Sequence, residues 1–517
     1  MRAKLESAPA ISAMTRGDAK SLILQILAEE WPLSAKDVHN RLRARHGPSI
    51  TYQGVHKILG QLVLDDAVAH ENKQYSLRLD WIRGLRKFGE AAEKKYLAQD
   101  VQKPYLEVGV GSSVERDAFS AGREAAEKAL KQIKYGKPLQ LALIFTSRVY
   151  EDAYDKLLAG VRAVTKNAPL TGCSTFGEIA NRPLTKSVVV MVFSADSAHF
   201  SAQTICLPVR PEQYDTGAFA DTVAQLKRQL AEGGEMPELG LLFVNGYTKS
   251  NNLRTVTPSL LNQLVSKTKF PFPIIGGVAG DDWNFERTAV FCGSKVHKEA
   301  IVLAAVRTRL KFGIGAKHSY SPVSQNKYKI RLKDNIVTDM AKMEKGKAGK
   351  WLPCPATYLK EAGISAREFR GILSFMKEII AQNKALPLKN IENHLLAFPF
   401  DVKDNGITFQ NLLSDGDVVQ IMHTTTEDLE RTCSESLEEA VAKLGSAPPT
   451  SALLFSCSIF ECILSNRHRN EIAPLKKTKF KSLPIVGCYV AGEVWPFTAP
   501  QASGSVVAVV FGNELRG

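Results

Sequence analysis

One phrase is written three times in this chain. APLTGCSTFGEI ends at Ile179, FPIIGGVAGDDW ends at Trp283, and LPIVGCYVAGEVWP spans Leu483 to Pro496. Each is an apolar run that breaks into small residues and then an acid. What precedes the phrases repeats as well, since LQLALIFTSRVYEDAYDKLLAGVRAV, ELGLLFVNGYTKSNNLRTVTPSLLNQLVSKTKF and TSALLFSCSIFECILSNRHRN all read as a strand followed by a helix. The first phenylalanines (Phe145, Phe243, Phe455) and the turn glycines (Gly172, Gly276, Gly487) are similarly spaced each time. The acids Glu178, Asp281 and Glu493 therefore occupy matched places, although the middle phrase is one residue shorter. Apolar strands follow every phrase: SVVVMVFSA, TAVFCG with AIVLAAV, and SVVAVVFG. The pattern predicts an α/β fold of βα units plus hairpins. A strand ending in glycines turns backbone N–H groups outward without Cβ obstruction, and the acid adds one fixed charge. A repeat kept for folding would look the same, so the phrase by itself establishes architecture.

At 517 residues the chain has room for about three to four domains. Its formal charge of +14 and pI near 9.2 allow a basic face for nucleic acid without demanding one. The start, MRAKLESAPAISAMTRG, lacks the apolar core of a leader, and no apolar run approaches the roughly 18 residues of a membrane span. These features predict a soluble, cytoplasmic protein. Eight cysteines without a CxxC pair suit reduced core thiols better than disulfides or zinc, and no metal or cofactor is expected.

The first eighty residues read differently. SLILQILAEEW carries an apolar helical face closed by Trp31-Pro32. LSAKDVHNRLRARHG opens with Ser34 and Asp37 as a start signal and stops at Gly47-Pro48. In SITYQGVHKILGQLVLDDA, Val55, Ile58, Leu59, Leu62 and Val63 share one face. VAHENKQYSLR reads as a hairpin around Glu71-Asn72-Lys73. Three helices, a tight link before the third and a hairpin resemble the winged helix-turn-helix domains of archaeal and bacterial transcription regulators. That resemblance implies a third helix in the major groove, with Thr51, Tyr52, Gln53, His56 and Lys57 toward base edges. Arg41, Arg43, Arg45, Lys73 and Arg78 would then contact phosphates. Winged helices also dock proteins, so that alternative stands beside DNA binding.

The stretch VGVGSS…AGREAA…LALIFTS…GCSTFGEI closely resembles the N-terminal part of the FIST (F-box and intracellular signal transduction) domain. LSDGDVVQIMHTTTEDL, ALLFSCSIFECIL, Glu471 and GCYVAGEVWP resemble its C-terminal domain. The glycine-rich turn in VGVGSS lacks the lysine of a phosphate-binding loop. An arginine common after the FSC strand end is missing here; Arg467 and Arg469 lie further on. The stretch WLPCPATYLKEAGISAREFRGILSFMKEIIAQNKALPLKN reads as a helical, basic insert.

The resemblance implies an N-terminal winged helix followed by two repeat-related α/β sensory lobes. The expected divisions are a tail (1–20), the winged helix (21–82), a helical linker that is a candidate dimer element (83–103), a FIST N-terminal domain (104–308) and a FIST C-terminal domain (309–517). The implied function is sensing of a small polar metabolite such as an amino acid, coupled to DNA. By position, the candidate ligand residues are Cys173, Ser174, Thr175, Gly177 and Glu178, with Ser456, Cys457, Glu471 and Glu493. Cys173 also admits a cysteine-dependent hydrolase or transferase. No histidine falls in a recognisable partnership with it, so no catalytic residue is assigned.

Overall fold

A computed structural model of the chain describes residues 19–47, 50–98, 103–208, 218–232, 234–246, 268–284, 286–333, 336–363, 365, 380–383, 386–392, 394–403, 405–409, 413–465, 467, 469–494 and 503–516. The chain divides into two compact units, Met1–Lys103 and Pro104–Gly517. The residue 1–20 tail, most of the helix expected in the middle repeat and much of the basic insert lie outside the described residues.

In the smaller unit, α1 (Ala19–Glu29), β1 (Leu33–Ser34), α2 (Ala35–His46), α3 (Tyr52–Leu64), β2 (Val68–Glu71) and β3 (Gln74–Leu77) precede the long α4 (Leu79–Ala98). The Ser34 hydroxyl accepts the Asp37 N–H at 3.2 Å, and Thr51 accepts the Gly54 N–H at 3.2 Å, so each helix starts on a side-chain cap. Ile23, Ile26, Leu27, Val38, Leu42, Val55, Leu59 and Leu62 close one core. Asn72 and Lys73, with φ of 49° and 62°, turn β2 tightly into β3. The strands lie in the order β1-β3-β2.

The larger unit is mixed α/β and contains three copies of one sheet. Unit A consists of β4 (Leu106–Ser113), α5 (Ala118–Leu130), β5 (Leu139–Thr146), α6 (Tyr154–Thr165), β6 (Leu170–Ser174), the strands β7 (Glu178–Ala180) and β8 (Pro183–Leu184), and β9 (Val188–Ala195). Unit B consists of β10 (Phe200–Pro208), α7 (Ala218–Glu232), β11 (Leu239–Val244), β12 (Ile274–Val278), the hairpin β13 (Val290–Cys292) and β14 (Lys295–His297), and β15 (Ala300–Thr308).

Unit C begins with β16 (Leu310–His318) and is then interrupted. The insertion folds as a separate sheet of β17 (Ser321–Pro322), β18 (Tyr328–Lys333), β19 (Ile336–Glu344), β20 (Lys347–Pro353), β21 (Leu388–Asn390), β22 (Leu396–Ala397), β23 (Pro399–Lys403), β24 (Gly406–Phe409) and β25 (Val418–His423), with α8 (Cys354–Ala362) among them. Unit C resumes with α9 (Thr426–Ala442), β26 (Pro449–Cys457), α10 (Ser458–Ser465), α11 (Ile472–Leu475), β27 (Ile485–Val490), β28 (Glu493–Val494) and β29 (Ser505–Leu515).

The core strand orders coincide: β6-β5-β9-β4 in A, β12-β11-β15-β10 in B and β27-β26-β29-β16 in C. In each, the first two strands of that order run parallel and the third returns antiparallel. The strands after each phrase leave home. Unit A gives β7 to β27, unit C gives β28 to β12, and unit B gives β13 to β6. The three sheets are thus stitched into a closed ring.

Their inner faces meet in a shared core centred on Phe145, Phe243 and Phe455, whose ring centroids lie 5.8, 5.9 and 6.2 Å apart in edge-on pairs. These are the phenylalanines that open the three repeats. The glycines Gly172, Gly276 and Gly487 occupy equivalent register positions, and a Cβ there would stand 1.8 to 2.0 Å from the carbonyl oxygens of Ile144, Leu242 and Leu454.

The sequence reading placed two repeat-related lobes on either side of residue 308. That division does fall between β15 and β16, but it groups two units on one side and a single interrupted unit on the other. The donated strands cross it in both directions. The helical reading of the insert also fails at its start, because Trp351–Pro353 belongs to β20, where these residues pair with Ala341, Met340 and Asp339 of β19.

Candidate functional site

The acids of the triple phrase sit where strands pass from one sheet to the next. Glu178 is fully buried opposite Cys488 on β27, yet its carboxylate turns back to unit A. It accepts from the Thr175 hydroxyl at 2.6 Å, Ser187 at 2.5 Å and Ser147 at 3.4 Å. Glu493, also fully buried, pairs opposite Gly277 and accepts from the Ser505 hydroxyl at 2.6 Å and its N–H at 3.2 Å. Asp281 accepts the N–H groups of Glu286 and Arg287 at 2.7 and 3.0 Å. Burial outweighs these hydrogen bonds and pushes Glu178 and Glu493 up to about 8 each. In both copies the acid fastens the point at which the chain leaves its own unit.

The remaining candidates lie in the same two seams. The Ser174 hydroxyl donates to the Gly280 carbonyl at 2.7 Å and accepts the Ala289 N–H at 2.9 Å, and Gly177 is packed beneath the Tyr489 ring. Cys173 is fully buried in the shared core and hydrogen-bonded to Cys488. In unit C, Ser456 donates to Glu471 at 3.1 Å and the Cys457 thiol contacts Glu493. Burial pushes Glu471 up to about 7. The structure therefore gathers Ser174, Thr175, Gly177 and Glu178 in one buried cluster and Ser456, Cys457, Glu471 and Glu493 in another. All of these residues are buried.

The glycines of VGVGSS have a packing task rather than a free turn. A Cβ on Gly109 or Gly111 would stand 2.0 or 1.9 Å from carbonyl oxygens of α5. Gly313 and Gly315 repeat this beneath α9, at 1.9 Å each.

An open cleft of about 400 Å³ does lie close by, at the carboxyl end of β5. Arg116, Arg148 and Lys156 line it together with Asp117, Glu151 and Asp152. In open α/β sheets this end of the strands is where small ligands are held. Arg148 ties the cleft to unit B: its N–H donates to Asp282 at 2.9 Å, and its guanidinium donates to Glu151 at 2.6 Å and to Glu286 at 2.7 Å. The Tyr150 hydroxyl donates to the Glu115 carbonyl at 2.6 Å.

Asp282 and Trp283 hold φ of 53° and 67°, a conformation that costs a non-glycine residue about 1 kcal/mol or more and is concentrated at functional turns. Burial, with Asp281 and Glu461 nearby, pushes Asp282 up to about 6. The Trp283 indole packs edge-on against Phe176 at 4.9 Å and donates to Glu461 of α10 at 3.4 Å. Residues of all three units thus converge on this turn. Sequence reasoning passed over it, although one signal was visible: the middle phrase ends in two acids and a tryptophan where the others carry a single glutamate.

In the smaller unit, Thr51, Tyr52, Gln53, His56 and Lys57 form an exposed face on α3. Tyr52 lies edge-on between His39 and His56, at 5.8 and 6.1 Å. Of the expected phosphate contacts, Arg41 pairs with Glu30 at 2.6 Å, Arg45 with Glu29 and Glu30 at 2.5 and 2.7 Å, and Arg78 with Asp66 at 2.5 Å. Such exposed pairs are weak and exchange readily for other anions. Further along the chain, Arg469 is engaged by Glu427 and Glu430.

Fold and seams together define a mixed α/β protein of interlocked repeat sheets. Within that class, the chain carries a FIST N domain over residues 140–340 and a FIST C domain over residues 359–496. FIST domains are generally sensory domains. The chain is similar to an uncharacterized protein of Methanocaldococcus jannaschii, 22% identical over 306 residues that make up 58% of this chain and 57% of that protein. The chain therefore spans less than two thirds of this relative's length. Among solved structures, cyanuric acid hydrolase from A. caulinodans is similar at a TM-score of 0.23 and 8% identity over 40% of this chain and 72% of that one. T. maritima PurL complexed with FGAR is similar at 0.18 and 9% over 82% and 77%. Likenesses of this size carry no argument about fold or chemistry. Among the described residues, no helix is long and apolar enough to cross a membrane.

Proposed function

We propose that the chain is an intracellular sensor that binds a small zwitterionic metabolite, an amino acid or a close relative, and couples it to DNA through a winged helix at its N-terminus. The observation that carries the ligand reading is the cleft at the end of β5. Three cations and three acids share its wall, which complements a molecule bearing an ammonium and a carboxylate. The cleft rather than the buried seams is the place for the ligand in this reading. Arg148 and the strained Asp282-Trp283 turn link it to the other units, so an occupant that moves Arg148 would be felt across the ring. The complete burial of Cys173 supports a binding protein over a cysteine-dependent enzyme.

The DNA reading rests on three helices, two of them capped, the three-stranded sheet and the exposed polar face of α3. The linker helix α4 would pair two copies and set the half-site spacing.

Thermal shifts of the full chain against free amino acids test the sensor. A selective ligand at about 100 times its Kd adds roughly 2.7 kcal/mol of stability. Arg116→Ala and Lys156→Ala, exposed side chains on the cleft wall, should each weaken binding roughly tenfold, about 1.4 kcal/mol. Unchanged affinity in both would move the ligand out of this cleft. For DNA, Lys57→Ala with Arg43→Ala should weaken duplex retention and flatten its salt dependence. Retention that does not change would favour a protein-docking role.

A further inference from the structure

Five of the eight cysteines are buried, but Cys206 and Cys292 are half-buried and lie together. Cys206 stands on β10, the outer strand of unit B, opposite Val302. Cys292 stands on β13, the strand unit B donates to unit A, opposite Thr171. Two sheets of the ring therefore bring β10 against β13, and the two thiols share a hydrogen bond. The Thr204 side chain is also hydrogen-bonded to Cys292, and the charges of Arg162 and Lys295 act on it. A cleft of about 700 Å³ lined by Arg162, Lys166, Asn167 and Ser294 reaches the turn that follows Cys292.

A hydrogen-bond donor and two cations around one sulfur are the conditions under which a thiol becomes a reactive thiolate. Those same contacts hold Cys292 down at about 7, and Cys206 is raised in turn. Cys173 and Cys488 also touch, but both are fully buried inside the shared core.

We propose that Cys206 and Cys292 form a thiol-oxidation site whose co-substrate is a small hydroperoxide admitted through the basic cleft. The Cys292 thiolate attacks one peroxide oxygen; the S–O bond forms, the O–O bond breaks, and the departing oxygen takes a proton from solvent to leave as water or an alcohol. Cys292 is then a sulfenic acid. Cys206 gives up its proton and attacks that sulfur; the S–S bond forms and the hydroxyl leaves as water with the proton Cys206 released. Overall, two thiols are oxidised to one disulfide and one hydroperoxide is reduced to water and an alcohol, or to two waters. The bond would staple β10 of unit B to the strand seated in unit A. In a reducing compartment such a bond is transient, as a sensing site requires.

The test treats the reduced full-length chain with hydrogen peroxide at neutral pH, blocks remaining thiols with N-ethylmaleimide and maps the peptides. A Cys206–Cys292 linkage should dominate, with a rise of several degrees in the melting midpoint that dithiothreitol reverses. Cys206→Ala should trap Cys292 as a dimedone-reactive sulfenic acid and slow its iodoacetamide labelling at pH 7 several-fold, because the hydrogen-bond donor is gone. Lys295→Gln, an exposed change, should slow labelling in the same direction. The proposal is overturned if the wild-type chain gives no Cys206–Cys292 linkage while other thiols oxidise, an outcome that does not depend on whether the variants fold.

Discussion

Glu178 and Glu493 are carboxyls held in apolar seams with hydroxyl and amide partners. Their folded-state value of about 8 lies above the ordinary 4.5, so the folded chain binds more protons than the unfolded one between those limits. Stability from each is present in full at low pH and is lost as pH rises through about 8. His318, lowered by burial to about 4, works in the opposite sense but only below its ordinary 6.5. Glu471, raised to about 7, acts in the same sense up to that pH, and Cys292, held down at about 7, opposes it above, so from pH 6.5 to 8 the two glutamates give the net fall, each removing up to about 1.4 kcal/mol of stability per pH unit. Urea midpoints across that window should fall in the wild-type chain and lose that net fall in the Glu178→Gln/Glu493→Gln double variant. A flat wild-type profile would mean that these carboxyls are solvated. Their matched positions were legible in the sequence because an acid after a glycine turn stands out among apolar residues. Their burial was not, because it depends on strands donated from more than a hundred residues away.

At the scale of elements, small residues set how closely helices and strands approach. Gly111 and Gly315 hold equivalent places under α5 and α9, where an added methyl would meet backbone oxygens that cannot turn aside. Gly111→Ala and Gly315→Ala should each cost about 1 to 3 kcal/mol as the helix lifts from its strand, measured by urea unfolding. Gly60, exposed on α3 with nothing within 4 Å of its added Cβ, is the contrast: Gly60→Ala should stabilise the smaller unit by about 0.5 to 1 kcal/mol. If all three changes behave alike, close approach is not what these glycines provide. The helices and hairpin of residues 19–77 were legible because caps, periodicity and turn residues are local signals. The start of the insert was misread, since a strand such as Lys347–Pro353 is fixed by its pairing with β19 rather than by its own residues.

At the scale of the molecule, the repeat was legible as three phrases, but the exchange of strands between units was not, because nothing in a short strand names its partner. The exchange has a consequence that a two-lobe arrangement does not share. A fragment of residues 104–308 would leave the β12 edge without β28 and the shared core without Phe455. A fragment of residues 309–517 would lose the β7 cover of β27 and leave β28 with no strand to join. Unpaired edges and a third of a missing core cost more than a domain's usual margin of roughly 5 to 15 kcal/mol. Neither fragment should melt cooperatively alone by circular dichroism, whereas coexpressed fragments should purify together and regain a melt near that of the intact chain. A cooperative transition in either isolated fragment would show that its unit closes its own edge, and the ring would then be an assembly of independent domains. Complementation instead would make the ring the smallest folding unit, so that a ligand held beside β5 acts on all three sheets at once.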